Sequence, residues 1–225
     1  MNRGRAATSI RVLFQVEGAV VNMDTTRQSR KHLHTNHALK TSYISLILKS
    51  NEPDNISVSE ITDRADYNRS TFYFHYKNKE ELLEDMFHDA LRGIAQALRE
   101  PFKHQQQISV HEGIQMTSLI CQHIERHQQL FLALARVSFK PSLFDRIEKL
   151  LWTMFTDEII LIKDQQDQKL DYEMSVIFHI SSTVSLIKYW LLTNFTCTAA
   201  YLCEQIHSNS ILPITHMRKK PSSSK

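Results

Sequence analysis

The 225-residue sequence predicts an all-α fold in two parts, and two observations carry that expectation. Glycine and proline are scarce, four and five residues, too few to punctuate a fold of short strands and turns. Apolar residues recur at three- and four-residue spacing along most of the chain, whereas no alternating strand pattern persists for more than a few residues. The formal net charge of +3 is mildly basic, which suits a polyanionic partner without identifying one.

At the N-terminus, residues 1–22 include VLFQVEGAVV, a weakly apolar stretch interrupted by Gln15 and Glu17. A signal peptide requires a cleaner apolar core and a small-residue cleavage site. The expectation is a disordered or upstream extension over residues 1–29, with Met23 as the natural start. From Thr25 to Lys40 the chain carries Arg27, Arg30, Lys31 and Lys40 with His32, His34 and His37. A flexible basic arm of this kind follows phosphates or enters a minor groove, or else is a solvated tail. The H-x-H-x-x-H spacing could hold a metal, but no carboxylate or cysteine accompanies it, and no metal is expected. A first helix is predicted over about residues 36–50, with Leu39, Tyr43, Leu46 and Ile47 on one face; Asn51 is a good stop and Pro53 blocks continuation.

Residues 57–83, SVSEITDRADYNRSTFYFHYKNKEELL, are the most informative stretch. Ser57 and Glu60 form an S-x-x-E capping box, so a helix starts near Val58 and buries Val58, Ile61 and Ala65. Asp66-Tyr67 breaks the pattern with a residue that tolerates left-handed backbone. Asn68 caps a second helix running to about His75, and Asn78 with Glu81 repeats the logic for a third. The second helix spends its length on donors, Arg69, Ser70, Thr71, Tyr73 and His75, rather than on core residues. Helix-turn-helix geometry with such a face points to the DNA major groove.

The helix that follows has the clearest apolar stripe of the chain: Leu82, Leu83, Met86, Phe87, Ala90, Leu91, Ile94, Ala95 and Leu98, closed by Pro101. It would tie the reading head to a larger body, so that a tilt in one moves the other. Beyond it, helices are predicted over about residues 109–126, 128–138, from Pro141 through Phe155, 171–193 and 198–208. RKKPSSSK is read as a frayed tail, residues 213–225. His123 and His127 stand four apart, a metal-ligand spacing, but straddle a helix end.

The pattern of Ile61, Ala65, Asn68, Thr71, Tyr73, His75, Tyr76, Lys79, Glu80 and Leu82 resembles the DNA-binding domain of the TetR family of bacterial regulators, I-A-x-x-A-G-V-S-x-x-T-x-Y-x-H-F-x-x-K-E-x-L. The family's turn Gly-Val is Asp66-Tyr67 here and its Ser cap is Asn68, two changes that preserve turn and cap. The wording N-R-S-T-F-Y-x-H-Y and the stretch FHISSTVSLIKYWLLTNFTCTAAYLCEQI resemble a subgroup common in Firmicutes. The resemblance covers roughly residues 30–212 and matches the nine helices counted above. It implies a three-helix DNA-binding domain over residues 30–80 and a helical ligand-binding and dimerisation domain over residues 81–212. It implies a homodimer on a pseudo-palindromic double-stranded operator, acting as a repressor and released by an unidentified small-molecule effector. Asn68 is then the cap, Arg69 the base reader with Ser70 beside it, and Thr71, Tyr73, His75 and Lys79 the phosphate clamps. Effector contacts are expected among His123, Phe131, Trp152, Phe155, Phe178 and His179, with Met154 also considered. Dimer contacts are expected from Ser182, Ser185, Tyr189, Trp190, Leu202 and Ile206. The alternative is a TetR-like co-activator that works through another protein.

Enzyme readings find no support: there is no Gly-rich phosphate loop, no nucleophile elbow and no carboxylate pair at a recognisable spacing, and no cofactor is implied. Cys121, Cys197 and Cys203 are odd in number and lack metal-ligand spacing, as expected of a reduced cytoplasmic protein. No uninterrupted apolar run approaches the roughly 18 residues of a membrane span.

Overall fold

The structure, a computed structural model, describes residues 27–103, 110–158 and 171–211. The extension over residues 1–22, the start at Met23 and the tail 213–225 lie outside the described residues. Those residues form α1 (Arg27–Lys49), α2 (Val58–Ala65), α3 (Arg69–His75), α4 (Lys79–Arg99), α5 (Val110–Arg126), α6 (Gln128–Arg136), α7 (Leu143–Asp157), α8 (Tyr172–Leu192) and α9 (Ala199–Ile211). Two short 3-10 helices, Pro53–Asn55 and Glu100–Lys103, complete them, with no strand among the described residues.

The chain divides into two compact units, Met1–Thr35 and Asn36–Lys225. Of the first unit only the opening of α1 is described, where His32, Leu33 and His34 are exposed. This corrects the expected flexible arm and the helix start near Asn36. Between Arg27 and Lys49 there is neither Gly nor Pro, and Arg, Gln, Lys, Leu and Ala extend a helix readily.

In the second unit, Tyr43 and Ile47 of α1, Ile61 of α2 and Phe72 of α3 are buried in one continuous core with Leu82, Leu83, Met86 and Phe87 at the start of α4. The later part of α4 buries Ala90, Ile94, Ala95 and Leu98, and this helix touches α5, α6 and α7. Head and body are therefore strung on one 21-residue helix. Pro101 falls within the 3-10 turn after α4, as a residue that cannot continue an α-helix should. Around α4, α5 packs on α9, and α8 packs on α6, α7 and α9. Ser142 opens α7 with a capping box to Asp145, and Asp171 caps α8 by accepting from the Met174 amide.

α8 is apolar on nearly every side. Val176, Ile180, Val184, Ile187, Trp190 and Leu191 face the core, while Met174, Ile177, Phe178, Tyr189 and Leu192 are exposed. By length and composition residues 173–192 reach the hydropathy of a membrane span, mean 1.3, despite the charges at Glu173 and Lys188. After Leu192 the chain turns through Asn194 and Phe195, both left-handed at φ 56° and 57°. A bulky residue seldom adopts that conformation. Phe195 is held there by the hydrogen bond its amide donates to Trp190 O (2.9 Å) and by an edge-on contact with the Trp190 ring, centroids 4.6 Å apart. The Trp190 indole is fully buried and donates to Cys197 O at 2.7 Å.

Candidate nucleic-acid interface

The helix-turn-helix is fixed by side-chain caps close in sequence. Ser57 Oγ accepts from the Glu60 amide at 3.3 Å, and the Ser57 amide donates to Glu60 Oε2 at 2.8 Å, so each satisfies an otherwise unpaired N–H. The Ser57 amide and hydroxyl hold the Glu60 carboxyl below the usual range. Thr62 is buried and donates its hydroxyl to Val58 O and Ser59 O, at 3.0 and 2.9 Å. At Asp66 the chain turns left-handed, φ 57°, and the Tyr67 amide closes the turn on Thr62 O at 3.0 Å.

Asn68 is the hub of the entry to α3. Its Oδ1 accepts from the Thr71 amide at 2.8 Å, the Thr71 hydroxyl at 2.7 Å and the Ser70 hydroxyl at 2.6 Å. Asn68→Ala should lower stability by about 0.5–2 kcal/mol, the usual effect of losing a helix cap. Urea unfolding monitored by helical circular dichroism measures it, and an unchanged midpoint would count against the cap.

From that cap α3 presents two faces. Phe72 is fully buried, edge-on to Tyr73 at 5.6 Å, whereas Arg69, Ser70, Tyr73 and Phe74 are exposed. Arg69 and Tyr73, one turn apart, place guanidinium and phenol side by side at 3.5 Å. Phe74 was absent from the expected contacts, yet it is 77% exposed, the most exposed large apolar side chain among the described residues. The available signal was its place on α3, out of step with buried Phe72. Thr71 and His75 are half-buried, His75 between the rings of Phe74 and Tyr76.

Lys79, expected as a phosphate clamp, is also engaged within the chain. Its ammonium donates to Asp54 O at 2.6 Å and Ile56 O at 3.0 Å, tying the start of α4 to the segment between α1 and α2. Two of its three donors are thus engaged by carbonyls. Nearby, Tyr76 donates its phenol to Asp85 Oδ2 at 2.8 Å, and Lys40 bridges Asp85 (2.7 Å) and Asp89. Burial first, then the Asp85 bond, pushes the Tyr76 phenol far above its ordinary value. Burial opposes the Asp85 charge, but Lys40 and Tyr76 hold its carboxyl below the usual range.

The body grips this head at two points, and a third contact holds the helix α4 that joins them. Arg136, ending α6, donates to Leu48 O at 2.6 Å and Ser50 O at 2.8 Å, where the last carbonyls of α1 attract a cation. The Ser138 amide donates to Asp54 Oδ1 at 3.0 Å. Arg146 of α7 makes a two-pronged pair with Glu84 of α4, at 2.9 and 2.7 Å, and lies 4.4 Å from the centre of the Phe87 ring.

The expected effector residues fall into separate groups. His123 meets Phe131 edge-on at 5.8 Å and stacks near His127 at 4.6 Å; Phe155 meets His179 edge-on at 6.1 Å. Trp152 is half-buried, and Met154 and Phe131 are core. Phe178 is 64% exposed and belongs to the outer stripe of α8, not to the interior. His123 Nε2 is buried without a hydrogen-bond partner, while its ring lies against Gly93 of α4. Burial, then His127 and Arg126, lowers its pKa to about 4, opposed by its bond to the Ala90 backbone. An open groove of 610 Å³ is lined by Thr41, Ser42, Ser45, Arg64 and Gln129, none of them expected.

Of the expected dimer contacts, Ser185 and Tyr189 are exposed and Ser182 is half-buried. Trp190, Leu202 and Ile206 are instead buried within the single chain, at 0, 4 and 3% exposure, because their faces of α8 and α9 meet the rest of the body. The outward row is Met174, Ile177, Phe178, Ser181, Ser185, Tyr189 and Leu192, at helical spacing.

Comparison with known proteins agrees with this architecture. Residues 50–86 match the family described as "Bacterial regulatory proteins, tetR family", and residues 112–210 match "Transcriptional regulator C-terminal region". A curated protein of Bacillus subtilis (strain 168), "Uncharacterized HTH-type transcriptional regulator YxbF", is 37% identical over 57 residues. That match spans 25% of this chain and only 15% of the relative's length. Among solved structures, the TetR transcriptional regulator from Streptococcus agalactiae 2603V is similar with a TM-score of 0.53 and 23% identity, covering 81% of this chain and 97% of the other. "Dihydroxyacetone kinase operon activator DhaS" is similar with a TM-score of 0.52 and 16% identity, covering 79% and 94%. At these identities the solved structures establish the fold.

Proposed function

Since the chain belongs to the TetR family of bacterial transcriptional regulators, we propose that it is a cytoplasmic repressor that binds a pseudo-palindromic operator as a homodimer and is released by a small molecule. The observation that carries this reading is the face of α3, where a capped helix start exposes Arg69, Ser70, Tyr73 and Phe74 together. A helix packed only for stability has no use for that combination. Residues 30–80 form the reading domain and residues 81–212 the regulatory one. Arg69 reads guanine through its fork, Phe74 meets a thymine methyl, and Ser70, Thr71, Tyr73 and His75 set the helix on the backbone. Lys79 acts chiefly as a brace, with one remaining donor for a phosphate.

Dimerisation supplies the second reading head. The exposed stripe of α8 gives a self-complementary apolar face with small residues, Ser181 and Ser185, at its centre. Two recognition helices then enter major grooves one turn apart, ~34 Å, or a multiple of it. A dimer seated on a promoter blocks polymerase by occupancy, which favours repression. An effector in the body, with His123 Nε2 as its polar handle, would act on α4 directly through Gly93.

Gel shift and footprinting against DNA upstream of its own gene test the reading. Two protected half-sites are expected, and loss of the shift with a cognate metabolite identifies the effector. Arg69→Ala should weaken discrimination at one guanine by about 1–3 kcal/mol while leaving nonspecific binding close to unchanged. Equal binding of operator and scrambled DNA by the wild type would instead favour the co-activator reading, for which exposed Phe74 is the supporting observation.

A further inference from the structure

The fold gathers cysteines that the sequence keeps far apart. Cys121 lies on α5 and Cys203 on α9, two helices packed directly against each other, and the two thiols are hydrogen-bonded. All three cysteines are free, and Cys197 stands half-buried just ahead of α9. Cys121 is 0% exposed and Cys203 4%, so the pair is enclosed within one chain rather than set for cross-linking between chains. Ser118, one turn before Cys121, also hydrogen-bonds Cys203. The neighbouring Glu125 carboxylate accepts the Ala199 amide at 3.0 Å, fixing the start of α9 against α5.

We propose that Cys121 and Cys203 are an oxidisable dithiol that closes to a disulfide between α5 and α9. The two sulfurs have unequal parts. Donors from Cys121 and Ser118 favour the Cys203 thiolate, whereas Cys121, the donor in that contact, holds its proton firmly. A thiolate beside a neutral thiol is the arrangement of an attacking and a resolving cysteine. Enclosure calls for a small oxidant, hydrogen peroxide. The Cys203 thiolate attacks one peroxide oxygen, the O–O bond breaks, and hydroxide leaves to take up the proton Cys203 had released. The Cys121 sulfur then attacks the Cys203 sulfenic sulfur, the S–O bond breaks, and the departing hydroxide takes the Cys121 proton as water. Two electrons pass from the sulfurs to the peroxide, and two waters result. The product staples α5 to α9, and α5 lies against α4 through His123 and Gly93, so the oxidised body presents α4 with a different support. In a reducing compartment a disulfide formed this way is transient, and its role is sensing.

The test uses the reduced full-length chain, exposed to hydrogen peroxide, alkylated under denaturing conditions and mapped by mass spectrometry. Three free thiols should fall to one, with a Cys121–Cys203 linked peptide that dithiothreitol releases and Cys197 alkylated. Cys197→Ser should form the same link. Cys203→Ser and Cys203→Ala should abolish it, each checked for wild-type helical content. Three intact thiols after peroxide, a link only through Cys197, or Cys203 passing to sulfinic acid with Cys121 unreacted would each overturn the proposal. The readout needs no DNA, so its failure is distinguishable from failure of the operator reading.

Discussion

Phe178→Glu should turn the proposed dimer into a monomer and weaken binding to the proposed operator by about 10²–10⁴-fold, the advantage that joining two reading heads confers. Phe178 is 64% exposed in the single chain, so a glutamate there disturbs little internal packing, and thermal unfolding of the monomer should stay near the wild-type value once concentration is allowed for. In a dimer built on α8 the same carboxylate is trapped, with its symmetry mate, against Met174 and Tyr189, and an unpaired buried charge is strongly unfavourable. Sedimentation gives the oligomeric state and fluorescence anisotropy the affinity. A Phe178→Glu protein that remains dimeric would move the interface off this stripe.

Gly93→Ala should destabilise the protein, and His123→Ala should restore it. The added methyl would sit 2.1 Å from His123 Cε1 and 2.2 Å from Nε2, far inside contact distance. Overpacking of this kind costs about 1–3 kcal/mol, which outweighs the roughly 1 kcal/mol that alanine gains over glycine in a helix. Because the ring bonds to the Ala90 backbone, it cannot swing clear without breaking that contact. Urea titrations of both single variants and the double variant measure the coupling, and additive effects would remove the contact from consideration. The same ring sets a pH dependence. Folding holds His123 neutral to about pH 4, against an ordinary value of 6.5. The unfolded chain binds the extra proton first, so this contribution is complete above pH 6.5 and lost progressively as pH falls to 4. His123→Ala should flatten that part of the stability profile.

The reading head was legible because its signals are local. The Ser57 and Asn68 caps and the Asp66 turn each act within three residues, and each appears in the structure. The internal partners of Lys79 were not legible for the opposite reason: they are carbonyls 23 and 25 residues away, which no spacing rule reveals. On α8 the sequence is apolar all round, so periodicity could not separate buried Trp190 from exposed Phe178. The two thiols, on separate helices, share no sequence signal at all. The basic stretch before Asn36 carries the charge of a flexible arm but also the helix propensity of Arg, Gln, Lys and Leu, and it is helical from Arg27.

The absence of a side chain at Gly93 lets the His123 ring sit against α4 at a point that would serve as a fulcrum. From there to Lys79 the helix runs 14 residues, about 21 Å at 1.5 Å per residue. A rocking of α4 by about 5° on the His123 ring would carry the head through roughly 1.8 Å, and two heads moving oppositely would change their separation by nearly 4 Å. That is about the 3.4 Å rise of one base step. In the proposed dimer, a displacement smaller than a methyl group at the body would thereby be geared to a whole step of register on the duplex.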